Sequence, residues 1–275
     1  MKQLPYQTIL ASFANATQSV SFGPTIDETV VFSNYLARSA VGNFIKRPIL
    51  IGNTNYEAGL FKLLGALGGT SQPDSYWNAF NELVFNCPAA ARANISISNN
   101  VPTYRYRWFG VFPNTNLTTF PDSGAYHASE LPVLFNTAPS PSNGFPSVPA
   151  NTMAENLIGS YLRGAWAAFA KNPASALPAY GTGWPGYSPN NVSLARLAYQ
   201  SMSGANLIMG DYFDGACGST FPVRAINAST ASATSSAAPT TTTAVGPAKQ
   251  STNSASSVAG SGLMGVVMFV GLYLL

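Results

Sequence analysis

The chain has 275 residues, only 8% of them charged, with a formal net charge of +3 and a single histidine, His127. Its 13 lysines and arginines are scattered and form no dense basic stripe, which excludes a nucleic-acid track. One histidine and two cysteines offer no metal-ligand cluster, and no cofactor is implied.

The opening "MKQLPYQTILASFANATQSV" has no continuous apolar run and no small-residue cleavage site, so it does not read as a secretory leader. "RPILIG", Arg47 to Gly52, is a short apolar run ended by Gly-Asn and predicts a fully buried strand. "EAGLFKLLGAL" then has helical spacing, which places Glu57 in the turn between strand and helix. "PDSYWNAFNELVF" predicts a helix capped at Asp74, with Trp77, Phe80 and Val84 along one face. "TYRYRWFGVF", Thr103 to Phe112, alternates as a strand; its arginines stand beside apolar residues and read as structural. Trp108 and Phe109 are expected in the core, while Tyr126 fits core or pocket lining.

The strongest helix signal is "NTMAENLIGSYLRGAWAAFAKNP". Thr152 and Glu155 have capping-box spacing and Pro173 stops the run. Met153, Leu157, Tyr161, Ala165 and Phe169 repeat near i+4, with Ile158, Leu162 and Trp166 widening the stripe. Strands alternating with helices define an α/β layer architecture over residues 1–222.

After Val223 the texture changes. Residues 223–262 are Ser, Thr and Ala with almost no large apolar side chain, the composition of a disordered stalk. Residues 263–275, "LMGVVMFVGLYLL", are too short to cross a roughly 30 Å hydrocarbon core comfortably as a helix. Small residues, a polar spacer and a short apolar tail follow the order of a GPI-attachment signal, with Asn253 preferred to Ser251 and Ser254; the alternative is a tail-anchored helix. The expected partner there is the cell membrane, through a lipid anchor. Five N-x-Ser/Thr acceptors, at Asn15, Asn94, Asn116, Asn191 and Asn227, point to the secretory pathway and an extracellular location. Cys87 and Cys217 fit either one disulfide or two buried thiols.

His127, in "GAYHASEL", follows a predicted strand and a Gly-containing turn, where open α/β sheets place their chemistry. A histidine acting as general base needs a carboxylate to hold its tautomer. Glu57 has the most telling position. Asp27, Asp122, Asp211 and Asp214 sit in loop-like text suited to turns and caps, and Glu130 is placed to lie beneath His127 as an anchor.

"GNTNYEAG", "GAYHASELPVLF" and "AWAAFAKNP", in that order, resemble the C-terminal half of type-B carboxylesterases, the family of cholinesterases and fungal lipases on the α/β-hydrolase fold. The resemblance runs from about Phe22 to about Phe221. It implies the C-terminal portion of an α/β hydrolase acting on carboxylic esters, with Glu57 as the acid and His127 as the base. It also pairs Cys87, in "FNCPAA", with a cysteine near the end of the domain, which Cys217 supplies. The chain departs from the family in its nucleophile, since no serine has Gly at both −2 and +2. The nearest approach, Ser203 in "SMSGAN", follows the histidine, whereas the family order is Ser, acid, His. The Gly-rich oxyanion loop is missing too. The expectation is therefore the second half of a longer enzyme, inactive by itself. The alternatives are an esterase-like cell-surface binding or adhesion protein that has lost catalysis, and a structural cell-wall glycoprotein.

Overall fold

A computed structural model describes residues 4–14, 24–118, 120 and 122–220. The expected stalk and terminal run, with Asn253, and the acceptors Asn15 and Asn227 lie outside the described residues. Two helices come first, α1 (Tyr6–Ala14) and α2 (Tyr35–Ala40). The rest alternates strand and helix: β1 (Ile49–Thr54), α3 (Ala58–Leu67), α4 (Asp74–Asn81), α5 (Cys87–Ser98), β2 (Thr103–Trp108), α6 (Leu131–Leu134), α7 (Met153–Lys171), β3 (Val192–Leu197), β4 (Leu207–Met209) and α8 (Cys217–Thr220). The fold class is α/β, as the alternation predicts.

The strands form one sheet in the order β1-β2-β3-β4. β1, β2 and β3 are parallel, with Ile49 opposite Thr103 and Arg105 opposite Leu194, and β4 closes the sheet antiparallel to β3. The period-2 alternation of β2 divides the layers. Tyr104, Tyr106 and Trp108 face a core built with Ile158, Leu162, Ala165, Trp184 and Leu197. Arg105 and Arg107 point the other way, towards Asn86 at the start of α5.

The strand at β1 is real, but its expected full burial is not. Ile49 to Gly52 are half-buried and only Asn53 and Thr54 are buried, because β1 stands first in the sheet order with β2 beside it. β2 is shorter than its alternation suggests. After Trp108 the Phe109 N–H pairs with the Leu197 carbonyl at 2.9 Å, and the backbone at Gly110 passes close to the Trp108 ring. A Cβ at Gly110 would collide with that ring, so the close approach needs glycine.

Asp74 is not the cap of α4; the capping position is Pro73 and Asp74 is the first helical residue. The helix also runs on past Phe85, through a π-helical turn over Glu82–Asn86 into α5. Pro88 stands at the start of α5 without an N–H to give, and the Cys87 N–H bonds five residues back to the Glu82 carbonyl. A wider turn accommodates a proline in a continuous helical run. In α7 both capping-box bonds form, Glu155 N–H to Thr152 Oγ1 at 3.0 Å and Thr152 N–H to Glu155 Oε2 at 3.3 Å. The buried stripe is Glu155, Ile158, Leu162 and Ala165; Met153 and Leu157 are 80% and 58% exposed and lie to one side of it.

Cys87 and Cys217 are joined in a disulfide across 130 residues of chain. Beside it Arg105, 1% exposed, sets its two terminal guanidinium nitrogens on Asp214, with Nη2 to Oδ1 at 2.8 Å. Asn86 is fully buried between these parts: its Nδ2 donates to the Phe213 carbonyl at 2.9 Å, and its Oδ1 accepts from Arg105 and Arg107. Removing one partner of a buried pair strands the other charge. Asp214→Ala is therefore expected to lower the unfolding free energy by about 3 kcal/mol, read from the urea midpoint. A midpoint equal to wild type would show that Arg105 finds another acceptor.

Candidate active site

The turn after β1 is pinned residue by residue. The Asn55 N–H donates to the Trp108 carbonyl at 2.7 Å and the Tyr56 N–H to the Ala125 carbonyl at 3.0 Å. Both bonds hold the turn against the end of β2 and the loop that leads to His127. Gly59, at the start of α3, lets that loop approach; a Cβ there would fall on the Ser123 carbonyl. Glu57 stands at the head of α3 without capping it. Its Oε1 instead accepts the Thr54 N–H at 2.6 Å, which turns the carboxylate back towards the strand end.

The other carboxylate oxygen, Oε2, lies 2.7 Å from His127 Nδ1, joining residues 70 positions apart. A carboxylate can only accept, so Nδ1 carries the proton and Nε2 is left for proton traffic. Glu57 is 5% exposed at its side chain and His127 34%, so the acid is sealed while the base reaches solvent. The imidazole lies near two rings, Phe61 and Phe85, with centroids at 5.3 and 5.2 Å. The bond to Glu57 raises the His127 pKa above 6.5 against the opposing effect of burial. The backbone of Ala128 is left-handed at φ 69, a conformation costly for a residue with a Cβ, in the turn that carries the imidazole.

Glu130, expected beneath His127, is in the same turn, but its Oε2 is buried and has no hydrogen-bond partner among the described residues. Burial pushes this carboxyl up from its ordinary range, Glu57 pushes it further, and His127 opposes. Three of the remaining acids hold structure with their side chains: Asp27 accepts the N–H groups of Thr29, Val30 and Val31, Asp122 that of Gly124, and Asp214 pairs with Arg105. Asp211 shapes its turn through its backbone, its carbonyl accepting the Asp214 N–H at 2.8 Å. Trp108 is core, with its Nε1–H on Ser129 Oγ at 3.0 Å. Phe109 is half-buried against Tyr199 and Phe213, and Tyr126 donates its hydroxyl to the Thr115 carbonyl. Ser203 Oγ donates to the Leu157 carbonyl on α7, not to the imidazole. Of the expected acceptors, Asn191 is exposed, whereas Asn94 and Asn116 are half-buried with Oδ1 taken by Tyr187 and Ser123. Residue-by-residue reading missed the flanking Phe61 and Phe85 and the Thr54 N–H. Phe61 was findable, since it lies one helical turn after Glu57.

A buried carboxylate and a half-exposed imidazole, hydrogen-bonded to each other in turns at the strand ends of an α/β sheet, are the two residues that the motifs singled out. The chain is 31% identical over 131 residues to a chlorogenic acid esterase of Aspergillus niger, covering 48% of this chain and 24% of that one. It is 32% identical over 185 residues to secreted lipase 5 of Gibberella zeae, covering 62% and 32%. A solved carboxylesterase of Geobacillus stearothermophilus superposes at a TM-score of 0.48 with 21% identity, over 68% of this chain and 42% of its own. No family model matches the chain. The chain is carboxylesterase- and lipase-like, as its motifs predict, and spans less than half the length of either curated relative.

Because His127 is the only histidine, its titration can be followed by NMR without assignment. Its midpoint is expected above 6.5 and to fall in Glu57→Gln. A folded-state pKa raised above the unfolded value stabilises fully below pH 6.5, and that contribution fades as pH rises through the raised midpoint. A midpoint unchanged by Glu57→Gln would mean that the hydrogen bond does not set the basicity of the ring.

Proposed function

We propose that this chain supplies the acid and the base of a serine carboxylic-ester hydrolase. The observation that carries this reading is the 2.7 Å contact between the buried Glu57 carboxylate and His127 Nδ1. In the reaction, a serine Oγ attacks the ester carbonyl as His127 Nε2 takes its proton. The resulting imidazolium is held by its hydrogen bond to Glu57, and the proton passes to the departing alkoxide as the tetrahedral intermediate collapses. Water then repeats the sequence on the acyl-enzyme and regenerates the serine. Only neutral His127 can act as the base, so the rate should rise with pH through its raised midpoint.

No serine of the sequence has the G-x-S-x-G surroundings of a strand-to-helix elbow, and Ser203 is turned towards α7. The proposal therefore assigns the nucleophile and oxyanion donors to polypeptide outside these 275 residues, and the chain alone turns over no ester. The two curated relatives are by name an esterase and a lipase, which supports a carboxylic ester as the substrate class. An extracellular setting belongs to the same proposal, supported by the Cys87–Cys217 disulfide, the exposed acceptor Asn191 and the word "secreted" in one relative's name. The lipid anchor at Asn253 rests on sequence order alone.

A chimera tests the reading. Residues 24–220, placed in the Gibberella zeae lipase in exchange for its matching stretch, are expected to give hydrolysis of short-chain nitrophenyl esters. His127→Ala should then lower kcat/KM by about a thousandfold or more. Hydrolysis that survives His127→Ala would contradict the assignment. Turnover by the 275-residue chain alone, abolished by the same substitution, would place a nucleophile within it.

A further inference from the structure

We infer that Arg107 is a positioning residue: by clasping Asn55 it fixes the turn from which Glu57 reaches His127. The inference rests on the reading of Glu57 and His127 as the acid–base pair.

Three observations carry it. Arg107 holds Asn55 twice, with Nε on the side-chain Oδ1 at 3.1 Å and Nη2 on the backbone carbonyl at 3.2 Å. Asn55 directly follows Thr54, whose N–H anchors Glu57, and stands two residues before Glu57 itself. The peptide between anchor and acid therefore has its N–H tied to Trp108, its carbonyl and side chain tied to Arg107, and the next N–H tied to Ala125. A turn tied at two successive backbone N–H groups and at the Asn55 carbonyl and side-chain oxygen resists swinging the carboxylate away from the ring.

The same guanidinium reaches the other side of the site. Its Nη1 donates to Asn86 Oδ1 at 3.3 Å, in the π-helical turn that also carries Phe85, and Phe85 packs on the imidazole. Its plane is covered by Phe213 at 4.4 Å. A planar fork with donors on several edges can bridge the acid turn and the π-turn at once, whereas a lysine ammonium is a single point. Arg107 is buried, and Glu82, Arg105, Asp214 and Glu57 are the charges that act on it. The titratable groups acting on His127 are Glu57 and Glu130.

The test is the NMR titration of the sole histidine in the 275-residue chain, with amide dispersion checked for each variant. Arg107→Lys keeps the charge but loses the fork, and Asn55→Ala removes the side-chain acceptor without changing charge. Each is expected to lower the His127 midpoint by about 0.5 pH or more, because the Glu57 bond loosens. Asn55→Asp keeps an acceptor oxygen and should leave the midpoint at or above wild type. If Arg107→Lys does not fold, Asn55→Ala decides the matter. A folded Asn55→Ala with a lower melting temperature and a wild-type midpoint would make the clasp merely structural and overturn the inference, as would a fallen midpoint in Asn55→Asp. Glu57→Gln separates the two claims: if it leaves the midpoint in place, the acid–base reading itself falls. If it moves the midpoint while Asn55→Ala does not, only the role of Arg107 falls.

Discussion

The hydrogen bond between His127 Nδ1 and Glu57 Oε2 closes a separation of 70 residues, and the described structure is organised around the two turns that make it. Both turns leave the sheet at the same end, one after β1 and one beyond β2. Parallel pairing of β1 with β2 puts the two strand ends on the same edge, and the Tyr56 N–H bond to the Ala125 carbonyl brings the later loop back to it. The in-register pairing of Thr54 with Trp108 then brings the first turn within reach of the loop that follows the second strand.

What the sheet brings together, the surroundings make selective. Glu57 is buried, but Oε1 takes a backbone N–H and Oε2 takes the imidazole, so both oxygens are satisfied. Phe61 and Phe85 pack near the ring and leave it only partly open to water. The two faces of the sheet divide the labour. Aromatic and aliphatic side chains against α7 supply the apolar burial, while the opposite face carries a polar network of Arg105, Arg107, Asn86 and Asp214 next to the disulfide. Apart from Arg105 Nε, which is buried without a hydrogen-bond partner among the described residues, the guanidinium nitrogens of this network are bonded, and each bond favours one arrangement of the stretches it joins.

Local signals were legible in the sequence and tertiary ones were not. The Thr152–Glu155 capping box and the stop before Pro173 are chemistry within one turn, and both bonds form as the spacing requires. The apolar run at β1 announced a strand, but burial depends on its neighbours, and among the described residues β1 has a strand on one side only and stays half open. A π-turn has no periodic signature; Pro88, following Cys87, was the clue that the helical run would have to widen. Glu57 and His127 could each be placed in a turn from the residues alone, but joining them relied on the carboxylesterase resemblance. The arginines of β2 read as structural from their apolar neighbours. Their partners, Asn55, Asn86 and Asp214, come from three separate stretches of chain and could not be read from spacing.

The central claim is that Glu57 holds His127 with Nδ1 protonated and Nε2 free to accept a proton. Nitrogen-15 NMR of the single histidine, above its titration midpoint, reads this directly, because the protonated and unprotonated ring nitrogens differ widely in shift. The account predicts the Nδ1–H tautomer in the wild type and a mixture shifted towards Nε2–H when Glu57 is replaced by Ala. A wild-type ring found mainly as the Nε2–H tautomer would contradict it.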